Sequence, residues 1–392
     1  VLTVAEAESR ILAQAALRPV DVVKTDASVG RVLREAVCAD RDVPPFDRAT
    51  MDGIAIAYAP GRTVFRIEGV QAAGRPALRL GDPAGGCLEI MTGAMCPVGA
   101  DTVAPYEDVE IDGGRATLKA PVERGQFIHR QGVDRKAGAV LLPAGTRMRS
   151  PQIAIAISAG CTHVTVARPP RFAVVSVGDE LVEPDAPVER FQIRPSNAWG
   201  IRAALQGLGC PEVDLARVPD HPETIEARLA ELLARCDGLI LSGGVSRGKF
   251  DFVPSSLERL GVCVAFHKIA QKPGKPMWFG VAPGGKPVFA LPGNPVSTLA
   301  CFHRYVKPYL LRSLGAPASA EDTIACAEAV RPHASLTLFL PVRRGPEGAR
   351  LQEYHGSGDY AALGESDGFI EVPPGDESIP AGAAVRYHAW DV

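Results

Sequence analysis

The chain has 392 residues, too long for one hydrophobic core, so about two to four domains are expected. Hydrophobic residues at 46% and charged residues at 22% are ordinary globular values, and a formal net charge of −3 lacks the basic footprint of a nucleic-acid binder. Its nine cysteines are scattered without a C-x-x-C pair, which argues against zinc or disulfide frameworks and predicts free thiols in a reducing compartment.

The opening Val-Leu-Thr-Val-Ala-Glu-Ala-Glu has no basic n-region, and no apolar run approaches about 18 residues, so a cytoplasmic protein without a membrane span is expected. Thr3 with Glu6 has the form of a capping box, and Val4, Ile11, Leu12 and Ala15 share one helical face, which predicts a helix over 4–16. A second helix is expected over 28–38, ending before Pro44-Pro45.

From 44 to 131 short strands and Gly/Pro turns take over: Phe65-Arg66-Ile67 alternates, and the run from Glu110 through Gly113-Gly114 to Leu118 has hairpin form. Val140-Leu141-Leu142 and the apolar run Ile153 to Ile157 mark a return to a helix-containing unit, so the β-rich stretch reads as an insertion. The expected division is 1–43 with 132–168, an inserted β-rich domain over 44–131, an α/β domain over 169–314 and a small β domain over 315–392.

Within 169–314 strands alternate with helices. Strands are expected at 172–177, 213–218, 239–241, 262–266, 277–281 and 288–291, and helices at 196–208, 224–235, 255–260 and from Pro295 toward Leu311. Ser196 is the expected N-cap of its helix and Gly209 the residue just past its end. This alternation predicts right-handed crossovers and a doubly wound parallel sheet, with ligands outside the carboxyl ends of the strands. Beyond Gly315, strands are expected at 336–342, 349–353, 369–372 and 384–387.

Three Gly-rich turns fall at expected strand ends: Ser176-Val177-Gly178-Asp179-Glu180, Ser242-Gly243-Gly244-Val245-Ser246 and Leu291-Pro292-Gly293-Asn294-Pro295. Each alone is a tight turn; three at one sheet edge point to a phosphate-binding cleft, where glycine lets backbone amides approach an anion. Lys272-Pro273-Gly274-Lys275-Pro276 is in isolation a basic turn, and beside those three turns it becomes an anion clamp. Candidate acids are Asp52, Asp134, Glu180, Asp220 and Asp251, which Mg²⁺ would give a reason to converge. No H-E-x-x-H, G-x-S-x-G or Walker A sequence is present, so zinc-hydrolase, serine-hydrolase and P-loop readings lose support.

Taken together these motifs resemble the MoeA and gephyrin E-domain family. Pro44-Pro45-Phe46-Asp47-Arg48-Ala49-Thr50-Met51-Asp52-Gly53 is similar to that family's P-P-F-(D/N)-x-(S/A)-x-M-D-G signature. Thr92-Gly93-Ala94 with Gly99-Ala100-Asp101-Thr102-Val103 resembles its T-G-A…G-A-D-x-V segment, and the three turns and the lysine loop match its remaining landmarks in order. The resemblance implies a homodimer of four-domain subunits, its site between the parallel-sheet domain of one subunit and the N-terminal domains of its partner. It also implies that adenylated molybdopterin and molybdate, with Mg²⁺, give molybdenum cofactor and AMP. Molybdopterin adenylyltransferase and molybdoenzyme chaperones are the partners such an enzyme would meet.

Carried over by position, Asp52, Asp134, Glu180 and Asp251 match functional acids, and Lys272 and Lys275 match lysines that bind phosphate or oxyanion. Glu180, Asp220 and Asp251 would hold the metal. Thr92, Gly93, Gly178, Asp179, Ser196, Asn197, Ser242, Gly243, Gly244, Ser246, Pro292, Gly293, Asn294, Pro295 and Ser297 would line the pterin and phosphate site. Departures from the family pattern are Pro195, His221, Arg247 and Pro254, and Leu336 and Pro341 around Phe339. They leave a paralogue with altered metal preference open. An adenylyltransferase lacks support because the chain has Gly243-Gly244-Val245-Ser246 where those enzymes carry G-G-T-G. A molybdopterin-binding scaffold remains the alternative from another class.

Overall fold

Thr3 caps the first helix as its spacing to Glu6 requires. Its hydroxyl accepts the Glu6 N–H at 3.2 Å, and the Glu6 carboxylate accepts the Thr3 N–H at 2.8 Å. This helix, α1 (Val4–Leu12), stops short of the expected Ala16 and buries Val4, Ala7 and Ile11. The helix expected over 28–38 is not formed. Thr25–Ser28 makes a single 3₁₀ turn, Gly30 follows at φ +80°, and Val32 and Leu33 bridge to Arg147 and Val166. The left-handed glycine stops helical propagation, and strand-like partners take the backbone groups beyond it.

The computed structural model describes residues 1–245, 252–317, 322–353 and 355–391. Two compact units divide the chain: Val1–Glu35 with Ala144–Ile153 and His163–Val392, and Ala36–Pro143 with Ala154–Thr162. Among the described residues no helix is long and apolar enough to cross a membrane.

The first unit is built on a six-stranded sheet. Its elements in chain order are β1 (Phe172–Val177), α2 (Ser196–Gly207), β2 (Val213–Val218), α3 (Pro222–Arg235), β3 (Gly238–Ser242), α4 (Val253–Arg259), β4 (Cys263–His267), β5 (Trp278–Ala282) and β6 (Lys286–Leu291). The spatial order is β2-β1-β3-β6-β5-β4. The first four strands are parallel, as expected, whereas β5 and β4 run antiparallel to their neighbours. The links from β4 to β5 and from β5 to β6 carry no helix and are too short for a crossover, so they can only fold back as hairpins.

All six residues of β1 are buried, as they must be in a sheet covered on both faces. Alternate side chains point to opposite faces: Phe172 and Val174 join the core that holds α1 and α2, while Ala173, Val175 and Val177 join the one that holds α3 and α4. Helix α3 puts Ile225, Leu229 and Leu232 into the second core at one-turn spacing, each burial contributing about 1.5–3 kcal/mol. Helix α2 ends as expected, with Gly209 at φ +83° and Cys210 N–H donating to Leu205 O at 3.0 Å. Its start differs: Pro195 is the N-cap, with no side-chain cap bond, and Ser196 is the first helical residue.

A long helix follows β6 in three pieces: α5 (Pro295–Cys301), a π turn (Phe302–Val306) and α6 (Lys307–Ser313). Within the turn Arg304 is 2% exposed and pairs with Glu8 of α1 and Glu371 of the C-terminal sheet, both at 2.7 Å. That sheet orders Gln271–Lys272, Thr337–Gly345, Gly368–Val372, Ala384–Ala389 and Thr323–Ala325, with Gly348–Leu351 paired to Thr337–Gly345. The lysine loop joins it in parallel, with Gln271 and Lys272 in register against Thr337 and Leu338.

In the second unit six strands order as Thr102–Pro105, Gly53–Ile56, Gly86–Ile90, Val64–Gln71, Arg115–Leu118 and Val109–Asp112. The last two form the expected hairpin, turned through Gly113 at φ +53° and Gly114 at φ +78°, as a two-residue type I′ connection requires. Ile54, Ile56, Phe65, Cys87 and Ala104 lie in its core.

Candidate functional site

The order of the sheet locates a crevice. From β1 the chain crosses through α2 to β2 on one side, and from β3 it proceeds to the other, so the ends of β1 and β3 flank a topological switch point. Ser176 and Ser242 are in register there, and Leu291 of β6 is in register with Ser242. The three Gly-rich turns therefore leave neighbouring strands at the same edge. Among the described residues, the Oγ of buried Ser176 has no hydrogen-bond partner.

Asn197, in the first turn of α2, ties two of these turns together. Its amide donates to Ser242 Oγ at 2.9 Å and to Gly293 O at 2.7 Å. Gly243 N–H donates to Leu291 O at 3.2 Å. Gly243 sits at φ +95°, and a Cβ there would lie 2.5 Å from Val177 O; no other residue fits. Gly244 at φ +68° is closed in by Val253 in the same way.

After β1, a side chain at Gly178 would meet the Glu180 carboxylate at 2.6 Å, so Glu180 lies against the turn's backbone. Asp179 Oδ1 accepts the Asp220 N–H at 3.0 Å, which gives Asp179 a structural part in joining the turns after β1 and β2. Glu180 and Asp220 thus follow adjacent strands and offer only oxygen donors. Among the described residues no group of three or more Asp, Glu, His or Cys gathers as a metal site. Such a donor set suits a hard cation whose remaining ligands are water and phosphate oxygens, the habit of Mg²⁺. Ser246 and Asp251 lie outside the described residues.

The turn after β6 is held from two directions. Thr298 Oγ1 donates to Pro292 O at 2.5 Å, and Asn294 donates from its amide to Ser357 Oγ at 2.7 Å. Pro295 occupies the first turn of α5, whose Asn294 N-cap makes no side-chain cap bond, and Ser297 is buried. Ser357 was not a sequence candidate; Gly356-Ser357-Gly358 was the available signal.

The lysine loop is fixed by its neighbours. Buried Gln271 donates to Cys301 Sγ at 3.3 Å and accepts from the Tyr305 hydroxyl. A Cβ on Gly274 would lie 2.6 Å from Cys301 Sγ, so the loop is pressed onto the long helix. Lys272 and Lys275 are exposed, and among the described residues neither ammonium group has a hydrogen-bond or ion-pair partner.

The remaining candidates belong to the second unit. Exposed Asp52 accepts from the Thr92 N–H at 2.5 Å and from the Thr92 hydroxyl at 2.7 Å. These two donors, the backbone one first, hold its carboxyl below the usual carboxylate range. Gly93 at φ +84° completes this turn, its N–H donating to Ala49 O at 2.9 Å. Asp134 pairs with His129 Nε2 at 2.9 Å, a partner the sequence pattern did not reveal.

Residues 2–160 match the family model for the MoeA N-terminal region (domain I and II), and residues 173–312 match that for a probable molybdopterin binding domain. A molybdopterin molybdenumtransferase from Synechocystis is 40% identical over 376 residues, spanning 93% of this chain and 94% of the relative. One from Synechococcus elongatus is 33% identical, covering 98% and 99% respectively. Among solved structures, a molybdopterin biosynthesis MoeA protein from Pyrococcus horikoshii superposes with a TM-score of 0.83 at 26% identity, covering 99% of this chain and 100% of that one. From one end to the other, then, the chain belongs to the MoeA family, whose members include the molybdopterin molybdenumtransferases.

Proposed function

We propose that this chain is a Mg²⁺-dependent molybdopterin molybdenumtransferase of molybdenum cofactor biosynthesis, which takes adenylated molybdopterin and molybdate and releases AMP. The observation that carries the proposal is the gathering of the turns after β1, β3 and β6 at one switch point, two of them joined by Asn197. Glycine turns of this kind let the backbone come close to phosphate and to the polar edge of a pterin. Lys272 and Lys275 supply positive charge for the phosphate as its anhydride bond breaks, where catalysis needs it.

Glu180, Asp220 and Asp251 would hold Mg²⁺, which when bound would neutralise phosphate oxygens. Asp52, kept ionised by Thr92, and Asp134, steadied by His129, would position molybdate directly or through water. The residues are proposed to act in a cytoplasmic homodimer of four-domain subunits, with divisions at 1–43 plus 132–168, 44–131, 169–314 and 315–392. Molybdopterin adenylyltransferase is proposed as the supplier of its substrate.

The test is AMP release from purified adenylated molybdopterin with Mg²⁺, with and without molybdate. Molybdate-dependent release, lost in Asp52→Ala, supports the proposal. Tight pterin binding without AMP release overturns it in favour of a scaffold.

A further inference from the structure

Beside α6 lies a cavity of about 1250 Å³, walled by α1, residues 145–149, α6 and the C-terminal sheet. All of its lining belongs to the first unit, and none of the glycines, lysines or acids of the candidate site contributes to it. Seven lysines and arginines line it against three carboxylates, in a chain whose formal net charge is −3. The excess is therefore local to this wall.

Of the three acids, Glu8, Asp322 and Asp391, the first is already engaged. Glu8 is taken by Arg304 at 2.7 Å, and Arg386 lies 3.9 Å from the same carboxylate. Arg147, Arg149, Lys307, Arg312 and Arg344 make no ion pair among the described residues. Arg147 donates to Gly207 O, yet among the described residues its buried Nε has no partner, and neither has buried Nδ1 of His303 on the same wall. The Lys307 ammonium donates only to a main-chain oxygen, that of Asp391, at 2.9 Å. Burial pushes its pKa down, Asp391 and Asp322 pull it back up, and Arg147 and Arg149 add to the lowering. Crowded cations, two of them partly buried, beside unpartnered buried nitrogens are what an anion would relieve.

Guanidinium forks match phosphate oxygens two at a time, and the volume exceeds what an inorganic ion fills. Leu311, Pro308 and Ile324 add an apolar wall. We propose that this cavity binds a phosphorylated small molecule, its phosphate held by Arg147, Arg149, Lys307 and Arg312 and its organic part against the apolar wall. The site is separate from the strand-end crevice and does not depend on the function proposed for it.

Calorimetric titration of the full chain with inorganic pyrophosphate tests this in three proteins: the unaltered chain, Arg149→Glu with Arg312→Glu, and Lys272→Ala with Lys275→Ala. Arg149 and Arg312 are exposed, so their reversal leaves the fold in place, which a thermal melt verifies. The expected result is a binding event that survives the lysine changes and weakens at least tenfold on charge reversal. Binding that ignores the charge reversal, binding abolished by the lysine changes, or no binding at all overturns the proposal. The last outcome would leave an acidic segment of another protein as the occupant.

Discussion

Asn197 commits its side-chain nitrogen to two acceptors, Ser242 Oγ and Gly293 O, from elements 45 and 96 residues away in sequence. Removing it strands both at a half-buried strand edge, so Asn197→Ala should cost about 1–2 kcal/mol, read as a lower urea midpoint. It should also weaken pterin binding, because Gly293 would lose its hold. His303 shows the opposite case, a buried ring whose Nδ1 has no hydrogen-bond partner among the described residues. Burial pushes its pKa from 6.5 down to about 3. The unfolded chain takes up a proton near pH 6.5 and the folded chain does so only near 3, so between those values the unfolded state binds more protons. Stability should therefore rise with pH across that window, and be lost as the pH is lowered through it, by up to roughly 1.4 kcal/mol per pH unit from this group. His303→Leu should flatten the slope of urea midpoint against pH between 6.5 and 4; an unchanged slope would remove His303 as its cause. At this scale the sequence spoke clearly where backbone geometry restricts residue type. Gly243 and Gly244 were legible because only glycine fits those turns. Ser357 and Gln271 were not, since a serine or glutamine acquires its role only from partners such as Asn294 or Tyr305 that arrive through tertiary folding.

The long helix shows what periodicity conceals. Its start at Pro295 and approximate length were readable, but the π turn was not. Phe302 to Val306 are all buried, and the Lys307 N–H reaches back five residues to Phe302 O. One extra residue is absorbed there, so that α5 and α6 both keep their apolar faces on the core. Deleting His303 should let the turn close to ordinary α geometry with both faces retained. Deleting Leu299 within α5 should instead rotate everything beyond it by about 100°. Cooperative thermal unfolding is expected for the first deletion and its loss for the second; equal damage from both would contradict this account. The other departures have similarly local causes. Gly30 at φ +80° broke the helix expected over 28–38, and helix-free links on either side of β5 folded that strand back against the parallel direction. The parallel strands and α3 were legible because continuous burial and one-turn spacing leave a direct trace in residue order.

At the level of the molecule, the second unit is spliced between neighbours. Leu33 N–H donates to Thr146 O at 2.9 Å and Gly145 N–H to Leu33 O at 2.7 Å, so residues 33 and 145 face each other as in a hairpin stem. Replacing Ala36–Pro143 by a short Gly/Ser turn should leave a chain that unfolds cooperatively but, lacking Asp52 and Asp134, releases no AMP. A molten product by near-ultraviolet circular dichroism would show that the insertion is needed for folding. The same topology sets a timetable for synthesis. Val20–Lys24 pairs with His163–Ala167, and Glu8 finds Arg304. At about 5–20 residues per second on the ribosome, the strand waits roughly 7–30 s for its partner and α1 roughly 15–60 s. Until the last of these partners emerges the apolar face of α1, Val4, Ala7 and Ile11, is incompletely covered, a window in which the nascent chain is open to aggregation.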